Sequence, residues 1–444
     1  MTAVAERAAA LAAPWPASAA LTADGDVRVA GVSLTEVARR FGTPCHVLDE
    51  GEVRARARAY RRAFGGPDAR GRVAVHYAAK AFACRGLLSW LKDEGLGVDA
   101  CSAGELRCAL DAGVPAHRVL LHGNAKSGED LRAAVEAGVG RVVLDSADEA
   151  HRLAALLPAG ARQRVLLRVV PHVEAGAHPE VRTGTADAQF GVDGPELTAA
   201  VAAVREHPAL ELTGLHCHLG SQVTEVEPYA LAARRLVALA ARVRNSTGVV
   251  VREVDLGGGH GVASRTGGAA LDVARLARVL RGELEAACAA AGLPVPRLLV
   301  EPGRALVAPA GAVLYRVVGV KTTGRRTFVA VDGGMSDNPR PALYGALGEP
   351  RLLGRPAGAP VREVALVGRH CETGDVLAPA VDLPADVRAG DLVAVPAAGA
   401  YQASMASNYN AVPRPPVVAL RAGTARLLVR RETVEDLRRR DVGV

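Results

Sequence analysis

Lysine is almost missing from this chain. Of its 54 lysine and arginine residues only four are lysines, Lys80, Lys92, Lys126 and Lys321. Arginine carries the rest of the basic surface, so a lysine kept at the end of an apolar run needs a reason other than charge. Aromatic residues are also scarce, at 3%, and the arginines are scattered among acids. A nucleic-acid groove wants a basic stripe with stacking rings, so that class of partner is excluded. The seven cysteines are odd in number, unevenly spaced and contain no CxxC pair. They fit reduced thiols rather than a disulfide frame or a zinc site. No stretch approaches the ~20 uninterrupted apolar residues of a membrane span. The opening MTAVAERAAALAAPWPASAA imitates a signal peptide, but Glu6 and Arg7 interrupt it and alanine makes a weak hydrophobic segment. Residues 1–20 are therefore expected to form a flexible lead-in to a soluble, cytoplasmic protein.

What is present is ordinary globular composition, 49% hydrophobic and 23% charged, over 444 residues. That length exceeds the usual ceiling for one core and predicts two domains. The net charge of +7 suits acidic small molecules. From about residue 46 to 310 short β-branched runs alternate with Ala/Leu/Arg stretches of helical period. The runs are VAVHY (73–77), LGVD (96–99), VLLH (119–122), VVLD (142–145), VLLRV (165–169), LTGLHCH (212–218), VREVDL (251–256) and LLVE (298–301). Eight such units with nearly continuous apolar strands predict a closed parallel (β/α)8 barrel, an α/β fold, over an open doubly wound sheet. After Gly311 the texture becomes AVLYRVVGV, TFVAVDGG, VREVALVG, DLVAVP and VVALRAGTARLLVRR between Gly/Pro turns. This predicts a mainly antiparallel β domain over 311–444, joined by 21–45 with its VRVAGVSL pattern.

Active groups of such a barrel gather at the C-terminal ends of its strands. Those ends carry Lys80, Asp99, Arg168, His218, Gly257 to Gly259 and Glu301. A primary amine can form a Schiff base with an aldehyde and a guanidinium cannot, and an apolar setting favours the neutral, nucleophilic amine. The competing reading is a snorkelling lysine paired with Asp99. DLGGGHG (255–261) follows a strand; its glycines allow backbone N–H groups close to an anion, or simply a tight turn. It lacks the GxGxxG spacing of a dinucleotide fingerprint. EPGRALV (301–307) offers Glu301 to a ring nitrogen and Arg304 to a phosphate or carboxylate, against a local ion pair of little consequence. HCHLGSQ (216–222) supplies two histidines on one strand face, without an evident third metal ligand; stacking of an imidazole on a flat ring is the better use. In the β domain Arg340 and Tyr344, Cys371 with Glu372, and Tyr401 sit in Gly-rich loops of the kind that more often carry no function.

Taken together, HYAAKAF, GVDACSAGEL, LHGNAKS, GLHCHLGSQ, DLGGGHG, EPGR, DGGMSDNPRPALYGA, HCETGD and GAYQASMASNYN resemble the diaminopimelate decarboxylase family. That family belongs to the alanine-racemase-like, fold-type III class of pyridoxal-phosphate enzymes, and the likeness runs in order from about residue 40 to 430. The resemblance implies pyridoxal 5'-phosphate on Lys80 as a Schiff base. His218 would stack on the ring, and Asp99 and Arg168 would stand on the same rim. Ser221, Gly257, Gly258, Gly259, Gly303, Arg304 and Tyr401 would hold the phosphate. Glu301 would keep the ring nitrogen protonated, which favours decarboxylation over racemisation. Cys371 would be the proton donor, since a thiol is mostly protonated near neutral pH. Arg304, Arg340 and Tyr344, with Tyr401, would bind the substrate's distal carboxylate, and Glu372 its ammonium. The implied reaction is meso-2,6-diaminopimelate to L-lysine and carbon dioxide, the last step of lysine biosynthesis, in a homodimer with shared active sites. A sibling decarboxylase for ornithine, lysine or a specialised amino acid is the alternative, because His260, Thr373, YQAS and GALGEPRLLGRP depart from the family pattern.

Overall fold

Strand periodicity and serine-capped turns build most of the chain. The computed structural model describes residues 9–65, 73–175, 189–356 and 360–443. Eight parallel strands close into a barrel in chain order. They are Val73–Ala78, Gly97–Ala100, Val119–Leu121, Arg141–Leu144, Gln163–Arg168, Leu210–His216, Glu253–Asp255 and Arg297–Val300. All eight predicted runs are barrel strands. Three successive strand-to-helix turns start their helices alike: the side chains of Ser102, Ser127 and Ser146 accept from the backbone N–H of Glu105, Asp130 and Glu149. The S-x-x-E/D spacing satisfies donors that a helix start leaves unpaired. Because side chains alternate across a strand, each inward face can be followed by steps of two. Leu120, Val143 and Leu166 pack as a buried apolar layer. Two residues further along, the same positions are polar: His122, Asp145 and Arg168.

The chain divides into two compact units, the barrel unit of 56–261 and 269–305, and a β unit of the chain up to Ala55, 262–268 and Leu306 onward. The β unit is built on a nine-stranded sheet whose long strand Gly311–Thr323 pairs antiparallel with Cys45–Asp49, Arg326–Val331 and Leu392–Pro396. Only two of its pairings are parallel, Cys45–Asp49 with Val417–Arg421 and Arg326–Val331 with Val361–Val367. A buried cluster including Val313, Tyr315, Val329, Leu366 and Val393 fills one face.

Two sequence expectations change here. The segment from residue 46 does not open the barrel; Cys45–Asp49, buried throughout, lies inside the β sheet. An apolar run followed by the helix Glu50–Phe64 imitates a first βα unit, and only its partners tell the two apart. Nor is the lead-in structureless where it is described. Ala9–Ala10 and Ala20–Leu21 form an antiparallel sheet with Val27–Val29 and Val32–Ser33, and Trp15 is buried in the adjoining core. Residues 1–8 of the lead-in lie outside the described residues. No described helix is long and apolar enough to cross a membrane.

Candidate active site

At the C-terminal mouth of the barrel, a cavity of about 300 Å³ brings together Lys80, Asp99, Arg168, His218 and Glu301, five of the residues read from strand ends. The first strand stops at Ala78 and turns through Ala79–Ala81. Ala79 and Ala81 take the buried positions and Lys80 is exposed. The expectation of an apolar setting around this amine is thus corrected: a one-turn change of direction, invisible to strand periodicity, carries it out of the apolar run.

The floor is electrostatically divided. Glu301 is buried, and its two carboxylate oxygens meet His122 Nε2 at 2.6 Å and His216 Nε2 at 3.3 Å. Burial opposes charge on Glu301, but His122 and then His216 outweigh it and hold the carboxyl well below its usual range. Burial pushes both imidazoles down, His216 to about 4, so the rings act as neutral N–H donors to a carboxylate. Asp99 and Asp255 go the other way: burial first, then the charge on Glu301, push each well above the carboxylate range. Glu301 is thus favoured in its charged form and Asp99 and Asp255 in their neutral forms, the kind of split that separates acid–base roles. Asp99 Oδ1 is buried with no hydrogen-bond partner.

The two histidines of HCHLGSQ line the same cavity but differ in setting. His216 ends the sixth strand and is fully buried, whereas His218 lies beyond it and is half-buried. The backbone N–H of Gly258 donates to His218 Nδ1 at 3.2 Å, which fixes the tautomer with the proton on Nε2. Burial, then Lys80 and Arg168, hold this imidazole well below its ordinary pKa. The ligating atoms of His122, His216 and Glu301 lie within 4.8 Å of one another; the contacts that join them make the trio a hydrogen-bonded triad. Arg168 stacks over Phe190 at 4.4 Å and lies 3.9 Å from Asp145.

The glycine loop is forced by close approach. Gly257 and Gly259 have φ of +63° and +85°, which strains any residue with a Cβ. A Cβ on Gly258 would lie 2.2 Å from the Glu301 carbonyl oxygen. The turn thus locks the seventh strand's end to the eighth's, with Glu301 N–H donating to the Gly257 carbonyl at 2.7 Å. A Cβ on Gly303 would crowd Ala78 and Ala81, at 3.0 and 3.1 Å. Arg304 Nη2 donates to Ser221 Oγ at 3.0 Å, pairing the two predicted anion contacts. His260, a departure from the family pattern, hydrogen-bonds Tyr60 at 2.8 Å and packs edge-on to Tyr229.

Within the β unit, Arg340 stacks 5.1 Å from the Tyr344 ring and 5.4 Å from the Tyr401 ring, so these three predicted residues do cluster. Tyr401 has φ of +60°. Cys371 and Glu372 are exposed on the turn after Gly368. That turn is braced by Asp375, which accepts from Met335 N and His370 N at 2.6 and 2.8 Å. Sequence reading singled out neither His122, Asp255 nor Lys126, and it took His216 only as one of a histidine pair, not as a partner of Glu301. For His122 a signal existed: it directly follows the third strand inside LHGNAKS, at the position parity assigns to the rim.

Barrel, rim lysine and following β unit define the class, the fold-type III pyridoxal-phosphate enzymes. The family model described as "Pyridoxal-dependent decarboxylase, pyridoxal binding domain" matches residues 50–308. Diaminopimelate decarboxylase of Actinosynnema pretiosum subsp. auranticum is 55% identical over 430 residues, covering 96% of this chain and 95% of that one. The solved diaminopimelate decarboxylase of M. jannaschi aligns with a TM-score of 0.89 at 30% identity, over 97% of this chain and 98% of that one. The Helicobacter pylori enzyme, solved with L-lysine, aligns at 0.84 and 28%, over 92% and 98%. This chain belongs to the diaminopimelate decarboxylase family of pyridoxal-dependent decarboxylases.

Proposed function

We propose that this enzyme decarboxylates meso-2,6-diaminopimelate to L-lysine and carbon dioxide with pyridoxal 5'-phosphate. One observation carries the reading: Lys80 shares a cavity with a buried carboxylate, Glu301, that two histidines keep ionised. The residues fit the cofactor. The cavity is within the range of small-molecule sites, Asp99 Oδ1 on its wall is unpaired, and the Ser221–Arg304 pair supplies donors for a phosphate.

When bound, pyridoxal phosphate supplies the electron sink for the bond that releases carbon dioxide. Lys80 would hold it covalently. Glu301, ionised, would keep a proton on the ring nitrogen; a neutral or cationic partner would not. His218 would stack on the ring, with Asp99 and Arg168 as polar wall. Ser221, the backbone of Gly257 to Gly259 and of Gly303, Arg304 and Tyr401 would take the phosphate. Cys371 would return a proton to the carbon that lost carbon dioxide, and its exposure leaves the thiol accessible. The substrate's second amino-acid head group needs both charges met. Arg304, Arg340, Tyr344 and Tyr401 answer its carboxylate, and Glu372 its ammonium. A diamine-forming decarboxylase has no use for so many carboxylate binders.

The test is carbon-dioxide release by the cofactor-loaded protein from meso-, LL- and DD-diaminopimelate, ornithine, lysine and arginine. The meso isomer is expected to dominate kcat/KM; preference for ornithine or lysine overturns the substrate assignment. The exposed Cys371–Glu372 turn is further proposed to complete the partner subunit's site in a homodimer. Turnover per chain should then fall as the protein is diluted to monomer, and constant turnover would refute it.

A further inference from the structure

The parity that delivers polar residues to the C-terminal mouth delivers arginines to the opposite one. Stepping back by two along the inward faces, 122–120–118, 145–143–141, 168–166–164 and 301–299–297 lead to Arg118, Arg141, Arg164 and Arg297. In a barrel the N-terminal layer ordinarily serves stability and is filled by branched apolar side chains. Here that layer surrounds a cavity of about 990 Å³ lined by seven arginines and two histidines against Asp93 and Glu94.

Only part of this charge is answered. Arg141 makes a two-point contact with Glu253, Nε to Oε2 at 2.6 Å, and Arg297 Nη1 lies 3.9 Å from the same carboxylate. Arg58 pairs with Glu94 at 2.9 Å, and Arg61 donates to the Glu94 carbonyl oxygen at 2.8 Å. Arg62, Arg118 and Arg164 are exposed and have no carboxylate partner among the described residues. Like charges also crowd one another: after burial, Arg141 and Arg164 both weigh against the charge on Arg297. A concave wall of converging guanidinium groups, three of them exposed and without a carboxylate among the described residues, is an anion site, since the planar fork matches phosphate oxygens two at a time.

We propose that the N-terminal mouth of the barrel binds a small multivalent phosphate, centred on Arg118, Arg164 and Arg297. Such an anion neutralises the crowded charges and engages the exposed guanidinium groups of Arg118 and Arg164. The scattered arginines noted in the sequence become a patch because the strand period brings Arg141, Arg164 and Arg297 beside Arg118 of the turn before the third strand, and the helix Glu50–Phe64 adds Arg58, Arg61 and Arg62. This site is separate from the pyridoxal-phosphate rim and does not rest on the proposed substrate.

The test is calorimetric titration of the cofactor-loaded protein, its rim phosphate site thereby filled, with inorganic pyrophosphate at constant ionic strength. Titration with ATP in parallel distinguishes a free from a nucleotide-borne phosphate. Saturable one-to-one binding of pyrophosphate, ATP or both is expected. Arg118→Gln combined with Arg164→Gln should weaken it by roughly tenfold for each guanidinium removed and leave carbon-dioxide release unchanged. Both side chains are exposed, so the variant should fold, and a melting temperature raised by pyrophosphate in the parent but not in the variant gives a second readout. Absent saturable binding, equal affinity in the variant, or binding confined to long polyanions such as RNA overturns the proposal.

Discussion

Two of the four lysines sit where their chemistry is specific. Lys126 is buried, and its ammonium meets the carbonyl oxygens of Gly123 and Val143 at 2.6 Å each and Glu149 at 2.8 Å. Three donors on a compact head meet three acceptors, which a planar guanidinium could not do in that space. Lys80 is exposed on the rim, and under the proposed function the choice over arginine would follow from covalent chemistry, which only an amine offers. The site residues that the sequence concealed are those whose role depends on a partner from another strand. Glu301 was visible as a strand-end acid, but its ionised state depends on His122 and His216, 179 and 85 residues away. A related residue-scale prediction concerns His46 in the β unit, whose two ring nitrogens are buried without partners. Burial lowers its pKa to about 4, against about 6.5 in the unfolded chain. Below pH 6.5 the unfolded state takes up a proton that the folded state refuses until about 4. The stability is therefore present above 6.5 and lost as pH falls towards 4. Between pH 7 and 5 this ring should cost about 2 kcal/mol. In urea titrations at those two values, His46→Leu should lose less stability on acidification than the parent by that amount. An unchanged acid loss would refute the assignment.

At the scale of elements, legibility followed locality. Barrel strands could be read because each is a short apolar run, and after three of them S-x-x-E or S-x-x-D marks the helix start at 102, 127 and 146. Cys45–Asp49 has the same local appearance but belongs to another sheet, because what assigns a strand is its partners, here Gly311–Thr323 and Val417–Arg421. The alanine-rich start looked unable to order itself; Trp15 and the pairing with Val27–Val29 supply what its composition does not. The glycine loop was left open between a tight turn and an anion cradle. Its structural need is plain in the 2.2 Å approach of a Gly258 Cβ to Glu301, and the backbone N–H groups of Gly257 and Gly258 already donate to Asp255 and His218.

For the whole molecule, the count of eight βα units followed by antiparallel strands was enough for the architecture, since a parallel sheet of that length must close or be covered on both faces. Its charge pattern was not legible. The arginines are dispersed along the chain, and only barrel closure sorts inward positions into an acid–histidine mouth and an arginine mouth. The central claim is that Lys80 carries the cofactor, and the near absence of lysine makes it unusually clean to test. Protein loaded with pyridoxal phosphate is reduced with borohydride, digested, and the modified peptide identified by mass spectrometry. The account predicts a phosphopyridoxyl group on Lys80. Modification of Lys92, Lys126 or Lys321 instead, or of no lysine, would contradict it.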